Sequence, residues 1–404
     1  QDPLYSPNKS LNETITLAEI DKVVMKAKNR KSPGIDLLPN EVLKNPRLRC
    51  TLRELFQLCL DTGKIPSDWY KSIIKPLPTS KENDPRIPLN YRGISLLSCC
   101  LKLFTALIDK RLTKFLDGNE EISDEQNGFR KDRSCADHVF ALHSIVSQRL
   151  EQNLSTFATF IDFSKAFDGI DRDLLMYKLI HCGVDGNMYF LLKSLYTQTQ
   201  ACVSVNCINT EWFRTKTGVL QGDSLSPTLF SIFINDLTMG LKDLGVGIKI
   251  GNTQVPILLY ADDVVILAND QKEMQTMLNF VNRWCKKWKM IVNMSKTKIM
   301  HFRKKCVNRC SDQIYLGNLP VEYTSSYKYL GVYFCEHLDF DMHCKILADS
   351  GTRALGAVIG KLRRLDDMPY ETYTKCIESN IYPVVEYGAE VWGGMKDSNT
   401  DKFN

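Results

Sequence analysis

Val255-Pro-Ile-Leu-Leu-Tyr-Ala-Asp-Asp-Val-Val-Ile-Leu-Ala268 is a run of apolar, largely β-branched or aliphatic residues broken near its centre by two adjacent carboxylates. Two short apolar stretches around a polar break read as two buried strands folded about an acidic turn. Outward toward the N-terminus, Thr156-Phe-Ala-Thr-Phe-Ile-Asp162 is another short apolar run, and it also ends on an acid, 100 positions before Asp262. Adjacent strands of one sheet would bring Asp162, Asp262 and Asp263 together. Carboxylates flanked by apolar sequence are costly to desolvate and repel one another at short range, so such a cluster calls for cations. Oxygen ligands with no nearby His or Cys suit Mg²⁺ or Mn²⁺ better than zinc. Two such ions would stabilise both the attacking and the leaving oxygens of an in-line phosphoryl transfer. The competing reading of the dipeptide is a solvent-exposed Asp-Asp turn.

The rest of the chain sets the bounds. With 404 residues and a mass of 46.2 kDa, 44% hydrophobic and 25% charged, it has room for two or three subdomains with a sizeable core. Lys and Arg number 52 against 47 Asp and Glu, and a net charge of +5 excludes a general polycation. A nucleic-acid role must therefore rest on local clusters. The 14 cysteines follow no regular spacing and no secretory leader precedes them, which predicts reduced thiols inside the cell, in nucleus and cytoplasm. No apolar run reaches the roughly 18 residues of a membrane span, so no membrane association is expected. Because the chain opens on Gln1, it is expected to be a piece of a longer protein.

Local signals predict a mixture of helices and strands. Thr16-Leu-Ala-Glu19 is a capping box, and the helix after it is expected to run to a basic last turn, Lys26 to Lys31, before Ser32-Pro-Gly34. Residues 66–93, rich in Pro and positive charge, read as loops and a ragged hairpin, and 94–115 as one amphipathic helix. Helices are predicted over 135–150, from Asp171, over 227–241 and over 274–290. A hairpin is predicted over 202–217, mostly extended chain over 291–302, and a strand over 327–334. The class is α+β, helices against a sheet. Thr217-Gly-Val-Leu-Gln-Gly-Asp-Ser-Leu-Ser-Pro227 sets Gln221 and Gly222 just before a helix, where backbone and amide would approach a ligand or simply form a capped turn. Residues 283–309 carry ten Lys or Arg and no Asp or Glu, interleaved with Trp284, Trp288 and Phe302. That pattern suits phosphate contacts with aromatic stacking, or a solvated basic face over a tryptophan core. The His and Cys residues around His301 to Cys310 and Cys335 to Cys344 lack paired Cys-x-x-Cys knuckles, so no zinc is expected.

Taken in order, Phe160-Ile-Asp-Phe-Ser-Lys-Ala-Phe-Asp168, the Leu-Gln-Gly stretch with Ser-Pro, Tyr260-Ala-Asp-Asp263 and Tyr329-Leu-Gly331 resemble the motifs of reverse transcriptases. Asn90-Tyr-Arg-Gly-Ile-Ser-Leu-Leu97 and Gln126-Asn-Gly-Phe-Arg130 match the non-long-terminal-repeat, LINE-type retrotransposon branch, and the resemblance runs from about Thr16 to Trp392. It implies a right-hand polymerase: an N-terminal extension over 1–50, fingers over 51–150, a palm with an antiparallel sheet over 151–326 with a fingers insertion near 174–215, and the primer grip and start of a helical thumb over 327–404. The implied activity is RNA-directed DNA polymerisation onto a primer 3′-hydroxyl by two-metal phosphoryl transfer, with two Mg²⁺ ions or Mn²⁺ as cofactors. The implied partners are an RNA template, a DNA primer and deoxynucleoside triphosphates, with a possible endonuclease domain elsewhere in the full-length protein.

Carried over by residue, the resemblance implies that Asp162, Asp262, Asp263 and the Phe163 carbonyl hold the metals and that Lys296 serves the leaving pyrophosphate. Phe167 resembles the aromatic gate that selects deoxynucleotides. Gln221, Gly222, Tyr260 and Ala261 would line the nucleotide pocket, and Arg92 would grip the triphosphate. The family's fingers lysine is displaced here, leaving Lys75 or Lys81 for that role. Tyr329, Leu330 and Gly331 resemble the primer grip, and Lys361, Arg363 and Arg364 would track the duplex. The rival reading is a non-catalytic, domesticated or decayed RNA- or DNA-binding module of the same fold.

Overall fold

The computed structural model describes residues 8–78, 84–363 and 369–393. Packing groups the chain into two units. One is Gln1–Asp124, Ser164–Asp236 and Cys285–Ile291, and the other is Glu125–Phe163, Leu237–Trp284 and Val292–Asn404. Residues 125–150, expected within the fingers, thus group with the carboxylate strands.

In the first unit, strand Lys71–Pro78 lies between Tyr91–Leu96, antiparallel, and Gln200–Val205, parallel. Phe213–Arg214 and Ile208–Asn209 pair with Gln200–Val205. In the same unit, Phe56, Trp69 and Phe104 form a ring cluster with centroids 4.9 to 6.2 Å apart. The Thr16 and Glu19 capping box forms as read, but the helix, Leu17–Lys26, stops short of Lys28, Arg30 and Lys31. Asn40 donates to the Lys28 carbonyl at 2.9 Å and Arg30 takes a positive φ of 57°, so that stretch is tied to the next helix and not to a helix dipole. The helix expected over 94–115 is likewise shorter at its start. Ile94, Ser95 and Leu96 pair with Lys75, Ile74 and Ile73, and Ser98 then caps a helix over Cys99–Gly118 by accepting the Leu101 N–H.

In the second unit, five strands lie in the order Glu322–Tyr323, Lys298–Phe302, Thr156–Asp162, Asp263–Ala268, Ile257–Tyr260. Alternation along the strands decides which side chains share a face. Ala158 and Phe160, Leu258, Val265 and Leu267, and Met300 and Phe302 face one side, packed against Val139, Leu142, Ile145 and Val146 of helix Cys135–Glu151. The opposite set, including Thr159, Ile161, Val264 and Ile266, is also buried, and the Thr159 hydroxyl donates to Met274 Sδ on helix Gln271–Trp288. Two covered faces explain why these strands are continuously apolar rather than alternating. Each fully buried large side chain here contributes about 1.5–3 kcal/mol. The hairpin Ser326–Tyr329 with Val332–Cys335 joins the same core, and helix Asp341–Leu362 follows it. No described helix is long and apolar enough to cross a membrane.

Candidate active site

In the second unit the two acidic strand ends meet. Asp162 and Asp263 are direct partners across the antiparallel pair of Thr156–Asp162 with Asp263–Ala268. Residues so placed have Cβ atoms about 4.5–5.5 Å apart on one face, and like charges there repel. Asp263 also pairs with Tyr260 on its other side, so the hairpin loop is only Ala261 and Asp262, and Asp262 stands at the apex. Ala261 has a φ of 57°, whereas Asp262 is not in the positive region; positive φ at the first loop residue alone is the signature of a type II′ turn.

The neighbouring chain fixes Asp162. Its N–H donates to Thr297 Oγ1 at 3.3 Å and its carbonyl accepts the Asn293 N–H at 2.8 Å. The turn over 293–297 that supplies these contacts also carries Lys296, whose ammonium lies 3.8 Å from Asp162 Oδ2 and is largely exposed. A pair so exposed adds little stability, so its worth lies in the charge it places there. Beneath the strand ends, the Tyr327 phenol is pushed up to about 12 by burial and by the charges of Asp162 and Asp263. Tyr329 is driven well above the ordinary phenol range by burial and Asp263. Both hydroxyls feel the negative potential of the acidic cluster. Among the described residues no three His, Cys, Asp or Glu side chains stand as a ready-made metal cage. The donors that do converge are hard oxygens of like charge, a chemistry that fits a divalent cation.

The other expected residues divide between the units. Phe163 buries its ring at 6.2 Å from Trp284, and the ladder bond beside it is made by the Asp162 carbonyl, not its own. Tyr329 is 2% exposed, so its ring is core and cannot touch a primer. What that turn can present is the backbone of Leu330 and Gly331, both at positive φ, with the Tyr387 hydroxyl donating to the Leu330 carbonyl at 2.6 Å. Lys361 and Arg363 are exposed at the end of helix Asp341–Leu362, and Arg364 lies outside the described residues. Trp284, Trp288 and Phe302 are buried, which overturns base stacking by them. Several cations of that basic stretch are also engaged within the chain: Lys289 with Asp171, Lys298 with Glu322, and Arg303 and Arg309 with Glu336.

In the first unit, Phe167 stacks on Phe230 with centroids 4.7 Å apart and is half-buried. The Gln221 side-chain amide donates to Asp168 Oδ1 at 2.9 Å, and the Gln221 backbone carbonyl accepts the Ser95 N–H at 2.9 Å. Gly222 has a φ of 106°, and a Cβ there would come 3.1 Å from the Ser95 carbonyl, so only glycine suits the position. A cavity of about 170 Å³ opens beside this loop, lined by Gly93, Ser95, Asp168, Thr217, Gly218 and Gln221 among others. Arg92 is exposed on Tyr91–Leu96. Lys75 donates to Ser204 Oγ at 2.6 Å, and Lys81 lies outside the described residues.

Sequence reading missed Asp168 and Asp223, although each is adjacent to or within a quoted motif. Asp223 is buried, accepts from Thr105 Oγ1 and from the Ser224 N–H, and so pins the loop carrying Gln221 to helix Cys99–Gly118. Burial, aided by the charge of Asp109, pushes its carboxyl up from the ordinary 3.8 to about 6. The folded state therefore holds this proton more tightly than the unfolded chain, and the cost of the buried charge is full above pH 6 and relieved as pH falls toward 3.8. Asp223→Asn is expected to be more stable than the parent at pH 8, with the advantage shrinking by pH 5, as read by denaturant midpoints at both values. A gap that does not change with pH would contradict the assignment.

Comparison with known proteins matches residues 79–334 to the sequence profile of the reverse transcriptase (RNA-dependent DNA polymerase). The chain is 27% identical over 400 residues to the probable RNA-directed DNA polymerase from transposon BS of Drosophila melanogaster, covering 96% of this chain and 43% of that protein. It is 26% identical over 400 residues to the RNA-directed DNA polymerase from mobile element jockey of Drosophila funebris, covering 97% and 43%. It is 27% identical over 311 residues to the Pol polyprotein from type-1 retrotransposable element R2 of Popillia japonica, covering 75% and 42%. It thus spans less than half the length of these relatives. Among solved structures, telomerase from Candida albicans in complex with a fragment of telomeric RNA superposes with a TM-score of 0.50 at 13% identity, over 84% of this chain and 64% of that one. That likeness is one of fold, and it agrees with the α+β right-hand polymerase arrangement. With the ordered motifs, the facing carboxylates and a profile match over more than half its length, the chain belongs to the reverse transcriptase (RNA-dependent DNA polymerase) family, on its non-long-terminal-repeat retrotransposon branch.

Proposed function

We propose that this chain is the polymerising part of a retrotransposon protein, copying an RNA template by adding deoxynucleotides to a DNA primer 3′-hydroxyl. The observation that carries the reading is the direct cross-strand pairing of Asp162 with Asp263, at the foot of a two-residue turn that carries Asp262. The family works with divalent metal ions, and we take them to be two Mg²⁺ ions, with Mn²⁺ able to substitute. Asp162, Asp262, Asp263 and the Phe163 carbonyl would hold them, and when bound they supply Lewis-acid stabilisation of charge on the phosphoryl oxygens.

The chain's own groups do the rest. Lys296, an ammonium beside the carboxylates, neutralises or protonates the departing pyrophosphate. Arg92 presents a planar fork of donors to the triphosphate, with Lys75 or Lys81 as auxiliary cation. Gln221 and Gly222 bring amide and backbone against the nucleotide, Tyr260 and Ala261 bear on the primer end, and Phe167 excludes a ribose 2′-hydroxyl. The backbone of Leu330 and Gly331 steadies the primer, while Lys361, Arg363 and Arg364 follow the duplex. We place this work in a reducing intracellular setting, nucleus and cytoplasm; all 14 cysteines are free thiols. An endonuclease in the full-length protein belongs to the same proposal, since the relatives are more than twice as long as the matched region.

The decisive test is extension of an RNA-templated DNA primer with Mg²⁺, with primer–template binding measured alongside. Extension supports the enzyme, and binding without any extension would favour the non-catalytic module. Binding should also be salt-dependent, because Arg283, Lys286, Lys287, Lys304 and Lys305 remain exposed for phosphate contacts. Affinity measured by fluorescence anisotropy is expected to fall at least about tenfold between 50 and 200 mM salt, through counterion release. A flat response would take these side chains out of the nucleic-acid contact.

A further inference from the structure

Within the second unit, a segment of chain that none of the assigned roles uses closes over the acidic turn. Residues 125–127 run parallel to the outer edge of strand Ile257–Tyr260. The Leu259 N–H donates to the Glu125 carbonyl, and the Asn127 N–H to the Leu259 carbonyl, both at 2.9 Å. This places the Gln126 side chain, 1% exposed, against the turn itself. Its Oε1 accepts the Ala261 N–H at 3.0 Å, and its Nε2 donates to the Ala261 carbonyl at 3.4 Å. The same Oε1 accepts the Gly128 N–H at 2.9 Å, which orients the amide. Gly128 allows the approach, since a Cβ there would lie 2.1 Å from the Ala261 nitrogen. Both polar groups of one peptide residue are thus gripped by one buried amide, and that residue is held at a φ of 57°, a conformation unfavourable for a side chain bearing Cβ.

We propose that Gln126 is a positioning residue for polymerisation: by holding Ala261 in its left-handed conformation it fixes the apex that aims Asp262 and Asp263. The proposal rests on reading those carboxylates as the catalytic pair. A turn of two residues has little slack, and displacement of a reacting group by an ångström costs on the order of 100-fold in rate. Gln126→Met keeps the volume and removes all three bonds. Its kcat for primer extension is expected to fall at least about tenfold, with KM for the nucleotide and primer–template affinity changed by less than about threefold. Glycine takes a positive φ without strain, so adding Ala261→Gly to Gln126→Met should recover at least about threefold of the loss.

Rescue is the outcome that a merely structural glutamine does not produce. Should Gln126→Met fold poorly by thermal melting, Gln126→Leu, which also lacks all three bonds, is tested in its place with the same second substitution, at a temperature where circular dichroism shows it folded. Undiminished kcat, or a loss that Ala261→Gly does not relieve, overturns the proposal. Asp262→Asn run in parallel separates the two readings. If that variant is inactive while Gln126→Met matches the parent, only the positioning role fails. If Asp262→Asn extends normally, the carboxylate reading fails and the positioning role falls with it.

Discussion

Asp262→Asn is expected to abolish primer extension, a loss of at least about a thousandfold, while primer–template binding stays within a few-fold of the parent. Asn preserves the shape and one carbonyl oxygen of the side chain, so the two-residue turn between Tyr260 and Asp263 is retained. What is lost is a negative charge at the apex of the turn next to the position where Asp162 and Asp263 lie across from each other. The variant is expected to stay folded, so an unchanged circular dichroism spectrum accompanies the expected inactivity. Single-turnover extension over a Mg²⁺ titration is the measurement. An unchanged maximal rate would remove Asp262 from the chemistry.

Phe167→Ala is expected to shift discrimination between ribo- and deoxynucleoside triphosphates by on the order of 100-fold toward ribonucleotides. The ring is half-buried, held by stacking on Phe230, so it presents a rigid edge rather than a mobile one. The Phe167 carbonyl also accepts the Val219 N–H at 2.9 Å, which ties its backbone to the segment leading to Gln221. Truncation to Ala leaves that backbone bond intact, so the loss is confined to the ring. The ratio of kcat/KM for the two nucleotide classes reports the effect, and an unchanged ratio would place the gate on another side chain.

The legible parts of this chain are those with short-range causes. The capping box at Thr16 and Glu19 formed as read because its two bonds join residues three apart. The hairpin about Tyr260 and Asp263 formed because both flanking runs are apolar and the acidic break is short. Readings failed where a distant segment intervened. Arg30 leaves the helical region because the chain after Lys26 is tied to Asn40, and Ile94 to Leu96 are drawn into a strand by Lys71–Pro78. Tyr329 read as a primer contact because Tyr329-Leu-Gly331 resembles the family's primer grip, yet Phe160 lies 5.7 Å away within the core and the ring is buried. Asp168 and Asp223 escaped notice because their partners, Gln221 and Thr105, lie 53 and 118 residues away.

By itself the amino-acid order determined the strands that end on carboxylates, the turn between two of them and the family to which the chain belongs, since all three are written in side-chain type and near-neighbour spacing. Only the tertiary structure decided that Asp263, rather than Asp262, stands opposite Asp162, and that Gln126 clamps Ala261. Strand register depends on which face of each strand is buried against which helix, and a shift of one residue would turn every side chain to the other face. That choice is made by packing energy summed over the whole sheet, which no local run of residues contains.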